Sequence, residues 1–220
     1  MLRIFEHVDA DLGRSCLDRA VLLCPEFGAI MDRFRRNDVI GRPEVVSYGV
    51  YGELSPSTCR YVKTLAELAD RFGSLDGLTV VEIGGGYGGQ ALVTHEVFQP
   101  ERYALIDLDE ALELQRAYLT ASDVGGCFEF VAADDFQAAP AADLVISSYA
   151  LTECYRDAAL GYGEKYVVPS PRGYIVGNQL MADRLYPTDL LRLRSTGHLD
   201  REVPQSAAGN YVFWWNDAGI

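Results

Sequence analysis

The stretch Leu78-Thr79-Val80-Val81-Glu82-Ile83-Gly84-Gly85-Gly86-Tyr87-Gly88-Gly89-Gln90 decides the fold. Its first six residues form a nearly unbroken apolar run, the mark of a strand covered on both faces. The glycines that follow form a turn, because glycine permits positive φ and lets a ligand approach where a Cβ would collide. Residues 89–98 then read as a helix. Its first N–H groups have no partner within the helix and face whatever the turn holds.

Outward from this unit the alternation repeats. Residues 103–106 read as a strand, 110–120 as a helix, and 128–132, 144–147 and 174–177 as further strands. Apolar strands separated by helices predict a parallel sheet, with ligands bound at the rim formed by the strands' C-terminal ends. Residues 198–203 and 211–215 are strand-like with no helix of normal length between them, a terminal antiparallel hairpin. Upstream, residues 14–23 and 60–72 read as helices on either side of a turn-rich segment. Ser55 or Ser57 is the candidate N-cap of the second helix, with Pro56 in its first turn. The predicted fold class is therefore α/β and Rossmann-like: a mostly parallel seven-stranded sheet ending in an antiparallel hairpin. Residues 1–76 form a helical N-terminal extension or lid, and residues 77–220 a ligand-binding domain.

Composition narrows the function. At 49% hydrophobic residues, the 220-residue chain can offset its ordering entropy, which excludes disorder as its main state. A net charge of −13 repels phosphate backbones, which argues against nucleic acid or an anionic membrane as partner. Cys16, Cys24, Cys59, Cys127 and Cys154 are odd in number and contain no C-x-x-C pair, which points to reduced thiols in the cytoplasm. No apolar run is long enough to span a bilayer, and residues 1–7 lack the apolar core of a signal peptide.

The glycine turn fits two templates. Gly84, Gly86 and Gly89 satisfy the dinucleotide fingerprint G-x-G-x-x-G. Glu82, Gly84, Gly86 and Gly88 satisfy E-x-G-x-G-x-G, the pattern of class I S-adenosylmethionine (SAM) methyltransferases. Asp107 ends the next strand about 20 residues on, where an acid accepts from ribose hydroxyls in either class. Asp134 or Asp135, after the third strand, can accept from the adenine amine with Phe136 stacked nearby; the other aspartate is then a helix cap. That acid, Glu82 and the terminal hairpin favour SAM, with S-adenosylhomocysteine as product, over an NAD(P)-dependent oxidoreductase. A SAM-binding protein without catalysis is the third reading.

With these residues in view the sequence resembles a bacterial sugar O-methyltransferase family, from about Gly41 to Trp215. The resemblance rests on residues 52–61 (Gly-Glu-Leu-Ser-Pro-Ser-Thr-Cys-Arg-Tyr) and on the turn from Val81 to Gln90. It continues in Ile106-Asp107-Leu108, in Ser147-Ser148-Tyr149-Ala150-Leu151-Thr152-Glu153 and in Arg172-Gly173-Tyr174-Ile175. Ser148 stands where the family has Asn, and Asp109 where it has Pro. The resemblance implies SAM as methyl donor, and a hydroxyl of a sugar or natural-product intermediate as the small-molecule acceptor. The implied cofactor residues are Tyr61, Glu82, Gly84, Gly85, Gly86, Gly88, Gln90, Asp107, Leu108, Asp134, Asp135, Phe136, Ser147 and Ser148.

Methyl transfer from a sulfonium is an in-line displacement that gains from positioning and desolvation, and an alcohol acceptor gains from a base. Glu153, His198 and Tyr149 are the catalytic candidates; His198 is expected at the rim. Arg60, Tyr149, Asn178 and Gln179 are the acceptor-binding candidates. His7 and His95 are expected to be structural or exposed. No metal is expected, since Ser147 stands where divalent-ion methyltransferases place an acid. The apolar end 211–215 is either an inner strand or part of a homodimer contact.

Overall fold

A computed structural model describes residues 8–178 and 183–218. In chain order its elements are α1 (Ala10–Leu23), α2 (Met31–Phe34), β1 (Val46–Ser47), β2 (Glu53–Leu54), α3 (Pro56–Phe72), β3 (Thr79–Ile83), α4 (Gly89–His95), β4 (Arg102–Asp107), α5 (Asp109–Ala121), β5 (Phe128–Ala132), β6 (Leu144–Ser148), α6 (Ala150–Glu153), α7 (Arg156–Tyr162), β7 (Arg172–Gly177), α8 (Pro187–Leu193), β8 (His198–Arg201) and β9 (Tyr211–Asn216). They form two compact units. The first holds the described residues up to Leu75 with Gly86–Gln99 and Glu113–Gly125; the second holds Asp76–Gly85, Pro100–Leu112 and the described residues from Gly126 onward.

In the first unit α1 packs on α3. Asp9 caps α1 by accepting from the Leu12 N–H. Ser55 is the cap of α3: its hydroxyl accepts from the Thr58 N–H at 3.1 Å, and Pro56 occupies the first helical turn. Val62, Leu65 and Leu68 form the fully buried stripe of α3. The turn-rich segment before it contains a small ribbon, β1 paired antiparallel with β2, too short to show as alternation in sequence.

The second unit is built on a seven-stranded sheet of order β5-β4-β3-β6-β7-β9-β8. All pairings are parallel except β7 with β9 and β9 with β8. The order reverses beside β3: the chain builds outward to β5, then returns to place β6 on the other side of β3. A crevice for a ligand opens at the C-terminal ends of β3 and β6 in such a sheet. One face of the sheet, through Val81, Ile83, Ala104, Ile106, Val145, Ile175, Phe213 and Trp215, packs against Leu151, Tyr162, Tyr166, Leu185 and Leu190. Trp215 is wholly buried, so β9 is an inner strand.

Two predicted boundaries are corrected. The helix after the glycine turn ends at His95, and Phe98 lies beyond it. Strand β8 ends at Arg201, not Val203, because the Glu202 side chain folds back onto Ser206 and Asn210, and Pro204 has no N–H for a ladder.

Candidate functional site

The second unit carries its chemistry at the C-terminal ends of its strands. Gly84 leaves β3 with φ +79°, and its N–H donates to the Ile106 carbonyl at 2.9 Å. A Cβ there would stand 2.0 Å from that of Ala150, so only glycine lets the β3 turn pass α6. Asp107, at the tip of β4, is half-buried, and its Oδ1 accepts from the Leu108 N–H. Leu108 is 65% exposed, an apolar surface beside an acid.

Asp134 and Asp135 lie exposed in the short 3₁₀ helix Ala133–Ala138 after β5. Neither caps it, contrary to expectation: Ala132 occupies the cap position, and no side chain bonds the first turn. The acids are instead suited to the positive end of the helix dipole. Phe136 is half-buried with its ring centroid 4.5 Å from that of Tyr162. Burial first, then the charges of Cys154, Asp107 and Asp134, push the Tyr162 phenol up to about 12. One phenol thus senses the acids from the ends of both β4 and β5.

Beyond β6 the side chains divide into occupied and available groups. The Ser147 hydroxyl is fully buried; it donates to the Ile83 carbonyl at 2.9 Å and accepts from the Leu151 N–H at 3.0 Å. The first bond ties β6 to β3 and the second holds the start of α6, so the hydroxyl is engaged within the fold. Ser148 is half-buried at the strand's end. Tyr149 has φ +71°, strained for a bulky residue, and its hydroxyl donates to Glu202 at 2.8 Å. Glu153 is exposed, and its Oε1 accepts from the Asn178 amide at 2.7 Å, so the ends of β6 and β7 meet in one polar pair. Gln179 lies outside the described residues, as does His7.

His198 is not at this rim. It pairs with Trp214, which pairs with Tyr174, three residues before the end of β7. That register sets it about 10 Å down the sheet from the rim. It is exposed and stacked on Trp214 at 4.4 Å, and the expectation that it reaches the acceptor is corrected. His95 is buried, with Nδ1 2.8 Å from the Ala91 carbonyl, and burial lowers its pKa. Glu82 is buried in β3, where its Oε2 accepts from the Tyr103 hydroxyl at 2.8 Å and desolvation pushes its pKa up to about 8.

In the first unit Gly86 and Gly88 also have positive φ, +59° and +98°. A Cβ at Gly86 would meet nothing within 4 Å, so the turn has open space on that side. Gln90 is 2% exposed; its amide nitrogen reaches the Tyr61 carbonyl at 3.4 Å, while its buried Oε1 has no hydrogen-bond partner among the described residues. The Tyr61 ring meets Tyr87 edge-on at 5.8 Å, and the Arg60 guanidinium lies over Tyr61.

Two polar clusters escaped the sequence reading. Glu202, Ser206 and Asn210 are near one another in the chain, but Tyr149 joins them from 53 positions away, beyond any local signal. Asn37 with Tyr87, Thr58 and Tyr118 likewise joins residues far apart in the chain; its one local signal was an aromatic residue set between two glycines.

No protein-family model matches the chain, and a comparison with curated protein sequences gives no match. Solved structures do resemble it. Magnesium protoporphyrin IX methyltransferase (ChlM) from Synechocystis PCC 6803, with bound SAM, is 15% identical at a TM-score of 0.55, covering 90% of this chain and 96% of that one. The Thermoplasma acidophilum 1320 protein is 16% identical at 0.55, covering 86% and 97%. The pyocyanin biosynthetic protein PhzM is 15% identical at 0.50 over 72% of this chain, which spans 56% of PhzM's length. The fold is the Rossmann-like methyltransferase fold, with its terminal antiparallel hairpin.

Proposed function

We propose that this chain is a SAM-dependent methyltransferase acting on a small-molecule acceptor. The observation that carries the reading is the glycine turn leaving β3: Gly84 takes φ +79° at the strand's C-terminal end, and an acid, Asp107, stands at the tip of the adjacent β4. The fold shared with methyltransferases supports it. The residues present fit the cofactor. Asp107 suits the ribose hydroxyls, Leu108 and Phe136 the flat faces of adenine, and Asp134 its amine. The positive-φ backbone at Gly84 suits a close approach by the methionine end.

When bound, SAM supplies an electrophilic methyl group. Glu153 is the base in this reading. The Asn178 amide holds one of its oxygens, which orients the carboxylate to take the proton of an acceptor hydroxyl. Tyr149, locked by Glu202, forms the wall beside it in this reading, and Arg60 is a candidate ligand for an anionic group. The resemblance to sugar O-methyltransferases adds the finer proposal, a hydroxyl of a sugar or natural-product intermediate. Residues 1–76 are proposed as an extension to the SAM-binding domain, and the free cysteines favour a cytoplasmic site of action.

Calorimetry with S-adenosylhomocysteine tests the reading. The wild type should bind it and gain thermal stability, with no such gain from NAD. Asp107→Ala should weaken SAM and S-adenosylhomocysteine alike by roughly 1–3 kcal/mol, since both lose a charged acceptor for the ribose. A lower turnover with unchanged binding would remove Asp107 from the ribose site; stabilisation by NAD alone would overturn the function.

A further inference from the structure

A cavity of about 430 Å³ lies wholly within the first unit, between the segment from Asn37 to Pro43 and one face of α5. This size suits a small organic ligand, for which pockets run from about 300 to 1,000 Å³. Its wall is almost entirely apolar, with Ile40, Pro43, Leu114 and Ala117 prominent, and among the described residues no charged side chain lines it.

The few polar groups are organised. The Tyr118 hydroxyl donates to Asn37 Oδ1 at 2.7 Å. The Asn37 amide donates to Thr58 Oγ1 at 2.6 Å and to the Tyr87 hydroxyl at 2.8 Å, and Thr58 donates onward to Asp38 at 2.6 Å. This network spends every polar atom of the Asn37 side chain and fixes the Tyr87 hydroxyl as an acceptor. Among the described residues, none accepts the proton of Tyr87. Ser57 is 4% exposed, lines the same cavity, and its hydroxyl makes no hydrogen bond to a described residue. An apolar chamber therefore holds two hydroxyl donors without acceptors.

We propose that this cavity binds a small, neutral, mainly apolar molecule carrying a hydrogen-bond-accepting oxygen, held by the Tyr87 and Ser57 hydroxyls. A polyhydroxylated ligand would surrender several hydrogen bonds to water and recover at most two, which an apolar wall cannot offset. An ion would find no counter-charge. The site goes beyond the SAM reading and does not depend on it, although Tyr87 belongs to the glycine turn and gives the two a shared element.

The test uses the full chain and prodan, a neutral naphthyl ketone whose emission shifts to the blue in apolar surroundings. Prodan should bind saturably at one site per chain. Ala117→Trp, which fills the cavity from the exposed side of α5, should abolish saturation. Ser57→Ala, which leaves no other group unpaired, should weaken binding roughly 5- to 15-fold, the worth of about one hydrogen bond. Tyr149→Phe, a change outside the cavity lining, should leave it unchanged. Circular dichroism and unchanged S-adenosylhomocysteine affinity establish that the variants are folded, and a wild type that binds prodan but not S-adenosylhomocysteine would sink the SAM reading alone. Non-saturable binding, or equal binding by Ala117→Trp, overturns the cavity proposal. So does a sedimentation result in which the wild type is a dimer and Ala117→Trp a monomer, for then a second copy covers this face.

Discussion

Glu82 in the sheet core and Glu202 at the rim differ chiefly in the hydrogen-bond donors around them. Both are buried, each has a tyrosine hydroxyl at 2.8 Å, and neither has a cationic partner among the described residues. Glu82 receives that one hydrogen bond, from Tyr103. Burial outweighs it, the Asp107 charge adds to the effect, and the acid is pushed up to about 8. Glu202 receives the Tyr149 hydroxyl, the Ser206 hydroxyl and N–H, and the Asn210 amide. There the protein has replaced the lost water donor by donor. A buried carboxylate needs hydrogen-bond donors in place of the water it loses, and the two sites supply them in different number. The core acid, in β3, is held by one tyrosine, while the rim acid holds Tyr149 in its strained backbone conformation.

A third glutamate gives the largest expected effect. Glu153 is exposed and, among the described residues, accepts one hydrogen bond, from the Asn178 amide, whereas Glu202 is buried under four donors. Glu153→Gln should lower the rate at saturating donor by about 10²–10⁴-fold with S-adenosylhomocysteine affinity unchanged. Steady-state kinetics with any accepted substrate would show it. A full rate would mean that positioning and desolvation suffice, and the rim would then contain no base.

The same substitution should have opposite signs at the two buried acids. Glu82 has a folded pKa raised above its unfolded value of 4.5, so the native state retains a proton that the unfolded chain releases. Stability should therefore fall as pH rises from about 4.5 to 8, and lie unaffected by this group below that window. Glu82→Gln should remove the fall and stabilise the protein at pH 8 by on the order of 3 kcal/mol, read from urea melts across pH. Glu202→Gln should instead destabilise by roughly 1–3 kcal/mol, because an amide NH₂ would face donors that need an acceptor. Equal effects at the two positions would erase the distinction drawn between core and rim.

Much of this architecture was legible in the chain. The apolar run at 78–83, the glycines after it and the alternation that follows announced a parallel sheet with its ligand rim. The Ser55-Pro56-Ser57 segment announced the start of α3, with the structure choosing Ser55 over Ser57 as the cap, and the absence of a helix of normal length between 203 and 211 announced the hairpin. These signals are local. Each depends on the residues of one element and on backbone rules that apply without knowledge of neighbours. The errors were equally physical. His198 was set at the rim because the direction of β8 follows only from its pairing: β8 runs with β7, so Arg201, its last residue, reaches the rim through Tyr211 and Gly177, and His198, its first, lies down the sheet. The partners of the Ser147 hydroxyl, Ile83 and Leu151, were likewise not legible in the sequence.

The sequence by itself determined the order of elements, the glycine turn, and the acids at the strand ends that a cofactor would meet. Periodicity and the φ demanded by glycine are properties of a few consecutive residues. Only the tertiary structure decided which side chains remain available. It spent Ser147 and Tyr149 on the rim's own architecture and left Glu153 with Asn178. It also gathered Asn37, Thr58, Tyr87 and Tyr118 around a cavity that no linear pattern marks. A hydrogen bond between residues 20 to 80 positions apart exists only after the chain has packed, and a side chain's chemistry is fixed by the partners that packing provides.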